Sequence, residues 1–196
     1  MKQPITIDRW LQAQKGEKEH HEADTVDNSY EHYKKAYEYY FKYLGMDKDL
    51  DGRSVVEIGP GRIAGLLFCK NYGNSYVLEP TEYDGIAHLY AHKPNLTRIG
   101  RRAEDWVFPN VDEVWLFNVL QHVQDPDILI AKCKEASKVI RFFEPVDLPT
   151  NLEHPFTFSV EDFRRYFGDC VNEYEAGQGI EGFHGAKCAY GTYICK

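Results

Sequence analysis

Between Val55 and Gly65 the chain reads Val-Val-Glu-Ile-Gly-Pro-Gly-Arg-Ile-Ala-Gly. An apolar run thus ends in a carboxylate and two closely spaced glycines. Gly59 and Gly61, on either side of Pro60, permit a tight turn that brings backbone N–H groups close to a ligand at the end of a strand. Gly59 to Ala64 also satisfies the loose dinucleotide pattern GxGxx[GA], which alone leaves an NAD-dependent oxidoreductase open.

Glu57 discriminates between cofactors. A carboxylate two residues before the first glycine would repel a pyrophosphate. It favours the ammonium and sulfonium of the methionine part of S-adenosylmethionine (SAM), directly or through water. Glu79 follows Gly59 by 20 residues and ends the next expected strand. An acid there can accept hydrogen bonds from both ribose hydroxyls, so Glu79 supports an adenosine cofactor of either kind.

Four further residues have the chemistry of a proton acceptor toward a hydroxyl or amine: His122, Glu144, His154 and His184. Glu144 ends an expected strand, and the three histidines fall in expected loops. His88 and His92 stand four apart on an expected helix, but no third ligand is spaced near them. The expectation is that no metal is bound.

These groups need a scaffold. Tyr30, Tyr33, Tyr37, Phe41 and Leu44 recur at steps of three and four, one face of an amphipathic helix that Gly45 can stop. The stripe either packs that helix on the domain or lines a lid over an acceptor. A shorter helix is expected over Ile7 to Lys18. From Ser54 the rhythm becomes strand and helix in alternation. Strands are expected at Ser54–Ile58, Ser75–Glu79, Leu96–Gly100, Asp112–Asn118 and Lys138–Glu144. Helices are expected over Arg62–Asn71, Tyr83–Ala91, Pro126–Lys134 and Val160–Phe167. Two closing strands, Cys170–Tyr174 and Lys187–Cys195, read as an antiparallel hairpin at the sheet edge. The pattern predicts an α/β fold with a mostly parallel sheet covered on both faces. Residues 1–50 read as an N-terminal helical extension and residues 51–196 as one compact domain.

Bulk properties narrow the function classes. The 196 residues are 43% hydrophobic and carry a net charge of −8, which suits one globular domain and disfavours a large nucleic-acid surface. Arg98, Arg101 and Arg102 form a local basic cluster beside Glu104 and Asp105. The five cysteines are scattered without a CxxC pair, as expected of buried thiols in a reducing cytoplasm. No apolar run reaches membrane-spanning length and no signal-peptide pattern opens the chain, so a cytoplasmic, membrane-free protein is expected.

Taken in order, Val-Val-Glu-Ile-Gly-Pro-Gly, Val77-Leu78-Glu79-Pro80, Ala103-Glu104-Asp105-Trp106 and Asp112 to Asp125-Pro126 resemble the class I SAM-dependent methyltransferases. The resemblance covers about Ser54 to Glu144 and implies a Rossmann-like, seven-stranded sheet with an antiparallel last strand. It implies that Glu57, Gly59, Pro60 and Gly61 line the methionine end of SAM, and that Glu79 holds the ribose. Ala103 and Glu104 match the segment beside the adenine, although Arg102 stands where that family often has aspartate. Asn118 to Pro126 is similar to the segment written VLHHVxDP, which places Asn118 near the transferred methyl group and supplies His122. The opening Trp10-Leu11-x-Ala13-Gln14-x-x-Glu17 is similar to that of methyltransferases found with polysaccharide or natural-product pathways. The function expected is methyl transfer from SAM to the oxygen or nitrogen of a small molecule. An NAD-dependent oxidoreductase and a non-catalytic SAM-binding regulator are the competing readings.

Overall fold

The computed structural model describes residues 2–23, 25–174 and 187–195. Thr6 caps α1 (Ile7–Glu22), its hydroxyl accepting from the Arg9 N–H at 3.2 Å. Thr25 caps α2 (Val26–Leu44) in the same way, and Gly45 ends that helix with a left-handed φ of 60°. The later helices are α3 (Ala87–Tyr90), α4 (Pro126–Ala136) and α5 (Val160–Phe167).

Seven strands form one sheet: β1 (Val55–Ile58), β2 (Ser75–Leu78), β3 (Leu96–Ile99), β4 (Val111–Phe117), β5 (Ser137–Pro145), β6 (Asn172–Tyr174) and β7 (Cys188–Ile194). Their spatial order is β3-β2-β1-β4-β5-β7-β6. The first five are parallel, and β7 runs antiparallel between β5 and β6. Strand order reverses between β1 and β4, so a crevice opens at their carboxyl ends.

Successive residues of a strand face opposite sides, and the two faces bury different sets. Val56, Ile58, Leu78, Val114, Leu116, Ile140 and Phe142 share a core with Leu129, Ile130 and Cys133 of α4 and Phe163 and Phe167 of α5. Val55, Val77, Trp115, Phe117 and Phe143 share the other with Tyr37, Tyr40, Phe41 and Leu44 of α2. The Phe41 ring packs edge-on to Trp115, centroids 5.6 Å apart. Helix α2 is therefore joined to the sheet by a common core.

Two expected helices are corrected. Arg62 to Asn71 holds a single 3-10 turn, Gly65–Phe68, instead of an α-helix. Two causes are visible. The Tyr37 ring of α2 lies 2.4 Å from where a Cβ on Gly65 would be, so α2 occupies the space beside this segment. The N–H groups of Gly65 and Leu66 also donate to the Glu57 carboxylate, at 2.7 and 2.9 Å, and are not available for a helical ladder. The helix expected over Tyr83 to Ala91 shrinks to the four residues of α3. Among the described residues, no helix is long and apolar enough to cross a membrane.

Candidate functional site

A cavity of about 560 Å³ lies at the carboxyl ends of β1, β2 and β4, roofed by α1 and α2. That volume falls within the usual span of small-molecule sites. Gly59, Pro60 and Gly61 form its floor after β1, and Glu79 stands beside them after β2. Ala103, Glu104 and Asn118 are also on the wall, so seven of the eight expected cofactor residues meet at one place.

The loop can take this shape only with glycine. Gly59 and Gly61 have φ of 56° and 71°, a region that costs an L side chain roughly 1–2 kcal/mol. A Cβ on Gly59 would lie 2.2 Å from Val119 Cγ2, and one on Gly61 2.6 Å from Tyr33 Oη. Both glycines therefore clear a path for closely packed neighbours.

Three buried glutamates at strand ends hold the rim. Glu79 accepts from the N–H of Gly61 and of Thr81, each at 2.9 Å, tying the loop after β1 to β2. Glu144 accepts from the N–H of Val119 and Leu120 and so fixes the turn after β4. Glu57 accepts from Gly65, Leu66 and, at 2.6 Å, the Tyr37 hydroxyl. Burial raises all three carboxyls to about 7, against the opposing pull of these hydrogen bonds.

This geometry corrects two expectations. Glu57 and Glu144 do not line the cavity. Each is 1% exposed, with its carboxylate committed to backbone N–H groups. Both carboxylates thus stand behind the cavity wall and act first as braces of its loops. Glu79 is braced by two N–H groups as well, but it stands on the cavity wall; for Glu57 and Glu144, turning toward the cavity would strand their donors.

His122 and His154 do reach the cavity, and the structure adds a partner for them. Glu17 of α1 places Oε1 3.2 Å from His122 Nδ1 and 3.8 Å from His154 Nε2. Its Oε2 lies 3.2 Å from His21 Nε2, and His21 Nδ1 lies 3.1 Å from the Tyr33 hydroxyl. Burial alone would lower His122, but the hydrogen bond and charge of Glu17 outweigh it and raise the imidazole. Burial and the neighbouring His122 push His154 down to about 4. Burial opposes ionisation of Glu17, yet His122 and His21 hold it well below the carboxylate range. His184 lies outside the described residues.

Residue spacing in the sequence carries a signal for Glu17. Trp10, Gln14, Glu17 and His21 fall at steps of four, three and four, one face of α1, and all four line the cavity. Trp10 Nε1 donates to the His122 carbonyl at 3.1 Å, which docks α1 on the turn after β4. Near Ala103, Glu104 accepts from the N–H of Gln124 and Asp125, at 2.7 and 3.2 Å. Arg102 pairs with Asp105 and lies over the Trp10 ring at 5.4 Å. His88 and His92 are both exposed.

No protein-family model matches the sequence, and no curated protein does. Solved structures match well in shape. The chain is similar to the 1,6-didemethyltoxoflavin-N1-methyltransferase of Burkholderia thailandensis, solved with 1,6-didemethyltoxoflavin and S-adenosylhomocysteine: TM-score 0.63, 14% identity, covering 100% of this chain and 93% of that one. It is similar to a chain of the complex between the Haloferax volcanii Trm112 methyltransferase activator and the putative methyltransferase, with TM-score 0.61, 14% identity, and 97% and 99% coverage. It is also similar to the [4+2]-cyclase SpnF: TM-score 0.56, 10% identity, covering 80% of this chain and 78% of that one. The chain has the Rossmann-like fold of the class I SAM-dependent methyltransferases.

Proposed function

We propose that the protein binds SAM in this cavity and transfers its methyl group to an oxygen or nitrogen of a small molecule. The observation that carries the reading is the junction of Glu79 with Gly61. A buried acid and a left-handed glycine loop meet at the strand-order reversal of a methyltransferase fold. The fit to the cofactor is good. The cradle over Gly59 and Gly61 would be filled by side chains on those residues. Glu79 lines the cavity with lone pairs left for ribose hydroxyls, and Ala103 and Glu104 offer the adenine wall.

Bound SAM supplies a methyl group already activated by its sulfonium, so catalysis rests chiefly on alignment. Tyr33, Tyr37 and Tyr40 shape the α2 side of the cavity, and Asn118, held by Gln121 at 2.8 Å, stands at the end of β4. We assign His122 and His154 to the acceptor side. A dinucleotide cofactor fits less well, because no α-helix follows the glycine loop to place its positive end against a pyrophosphate. The net charge of −8 and a roofed cavity favour a small acceptor over nucleic acid.

Calorimetric titration with SAM and NAD, followed by detection of S-adenosylhomocysteine with pooled hydroxyl and amine acceptors, tests the proposal. SAM binding with turnover is expected. NAD binding without SAM binding would refute it, and SAM binding without turnover on any acceptor would favour a non-catalytic role.

A further inference from the structure

The sequence gives no metal pattern, yet folding brings Glu17 from α1, His122 from the turn after β4 and His154 from the loop after β5 onto one patch of the cavity wall. One ligand atom from each lies within 4.8 Å of the others. We propose that these three residues bind a divalent transition-metal ion, with zinc as the reference case, and that its open coordination position faces the cavity.

The geometry leaves room for an ion, since only one of the two imidazoles is within hydrogen-bond distance of Glu17. Both imidazoles point at the same carboxylate oxygen, His122 Nδ1 at 3.2 Å and His154 Nε2 at 3.8 Å. The second distance exceeds a hydrogen bond. Ligand atoms each roughly 2.0–2.1 Å from a tetrahedral ion are about 3.3 Å apart, so the two separations bracket the requirement. The rings meet edge-on with centroids 4.7 Å apart, not stacked face to face. Two histidines and one carboxylate form the open ligand set of catalytic sites, as distinct from the closed, cysteine-rich set of structural ones.

A supporting outer layer is also built. The other oxygen of Glu17 is held by His21, which is held in turn by Tyr33. Such partners orient metal ligands and commonly change affinity by about 10–100-fold when removed. His122 Nδ1 is also within hydrogen-bond distance of the Glu153 carbonyl, at 3.2 Å, a bond that an ion at this nitrogen would replace. An ion here would anchor an oxygen-bearing acceptor within the cavity. That acceptor role rests on the methyltransferase reading, whereas metal binding does not.

The test uses tag-free protein stripped with a chelator, titrated with zinc by calorimetry and with cobalt by visible absorption. One ion per chain is expected, with tetrahedral cobalt bands and no sulfur charge-transfer band. Glu17→Gln, His122→Ala and His154→Ala should each weaken zinc by at least about tenfold, and His21→Ala by about 10–100-fold. Circular dichroism and a SAM titration on each variant separate lost ligation from lost folding. The exposed pair His88→Ala/His92→Ala should leave binding unchanged. No zinc binding by the wild type, equal binding by all three ligand variants, or loss in the His88/His92 variant would each overturn the proposal. Loss of zinc binding with SAM binding intact leaves the methyltransferase reading standing; the converse removes that reading and keeps the site.

Discussion

The amide of Gly61 donates to the Glu79 carboxylate at 2.9 Å, so the glycine loop after β1 is fastened to the end of β2. Glu79 thereby combines two duties, as a brace for the loop and as the acid on the cavity wall. Glu57, one strand away, has only the first.

This contrast is directly testable. Glu79→Gln should weaken SAM by about 10–100-fold, the loss of a charge-assisted hydrogen bond worth roughly 1.5–3 kcal/mol. Glu57→Gln should instead lower stability by about 1–3 kcal/mol, because its new amide would confront the N–H donors of Gly65 or Leu66. SAM affinity in that variant should stay within about threefold, on the scale where 1.4 kcal/mol is tenfold. Equal loss of SAM affinity in both would show that Glu57 reaches the cofactor.

Gly59→Ala is expected to be the most damaging change in the loop. Its methyl would lie 2.2 Å from Val119 Cγ2 at a left-handed φ, so both the loop and the turn after β4 must move. Thermal denaturation should shift down by several degrees, and SAM binding should fall at least tenfold. Gly61→Ala meets the Tyr33 hydroxyl, and adding Tyr33→Phe should recover part of the loss.

Stability should decline as pH rises from about 5 to 8. Glu57, Glu79 and Glu144 titrate near 7 in the folded chain, above the ordinary glutamate range. The folded state therefore binds more protons over that window. The stabilisation is full below the unfolded pKa and is lost as pH passes the folded one. Each group adds a slope of up to about 1.4 kcal/mol per pH unit. Urea titrations across this range should show the decline, and Glu144→Gln should flatten it. A slope identical in that variant would mean Glu144 stays ionised throughout.

Tryptophan fluorescence offers a site-specific readout. The chain has three tryptophans, and of these only Trp10 lines the cavity. A response to SAM should disappear in Trp10→Phe and persist in Trp106→Phe. Full retention in Trp10→Phe would place the ligand elsewhere.

The sheet was legible because its strands are apolar runs set between turn residues, and β1 to β5 lie within a residue or so of their expected limits. The glycine loop was legible because Gly59 and Gly61 are needed for backbone shape, which sequence records directly. The single turn after β1 is not legible because residues 63–67 are apolar and buried all round, and a segment without a polar face carries no helical period. The positions of Glu57 and Glu144 behind the cavity wall are not legible for a related reason. Residue type shows that a carboxylate needs partners, but not that backbone amides supply them. The pairing of Glu17 is not legible because His122 and His154 lie in the other half of the chain and only folding brings them to it.

The seat of α2 has a consequence for how the chain is made. Tyr43 of this early helix packs against Tyr190 of β7, ring centroids 5.4 Å apart, while the same face touches Phe143 of β5. An emerging polypeptide can cover most of the α2 stripe once β4 and β5 are made, but its Tyr43 end lacks Tyr190 until β7 has been synthesised. Contacts of such long sequence separation slow folding and lengthen exposure to aggregation. The C-terminal strand closes the β5 edge and the Tyr43 end of α2 together, and chains cut short before it should accumulate as insoluble material even though the glycine loop and β1 to β5 are intact.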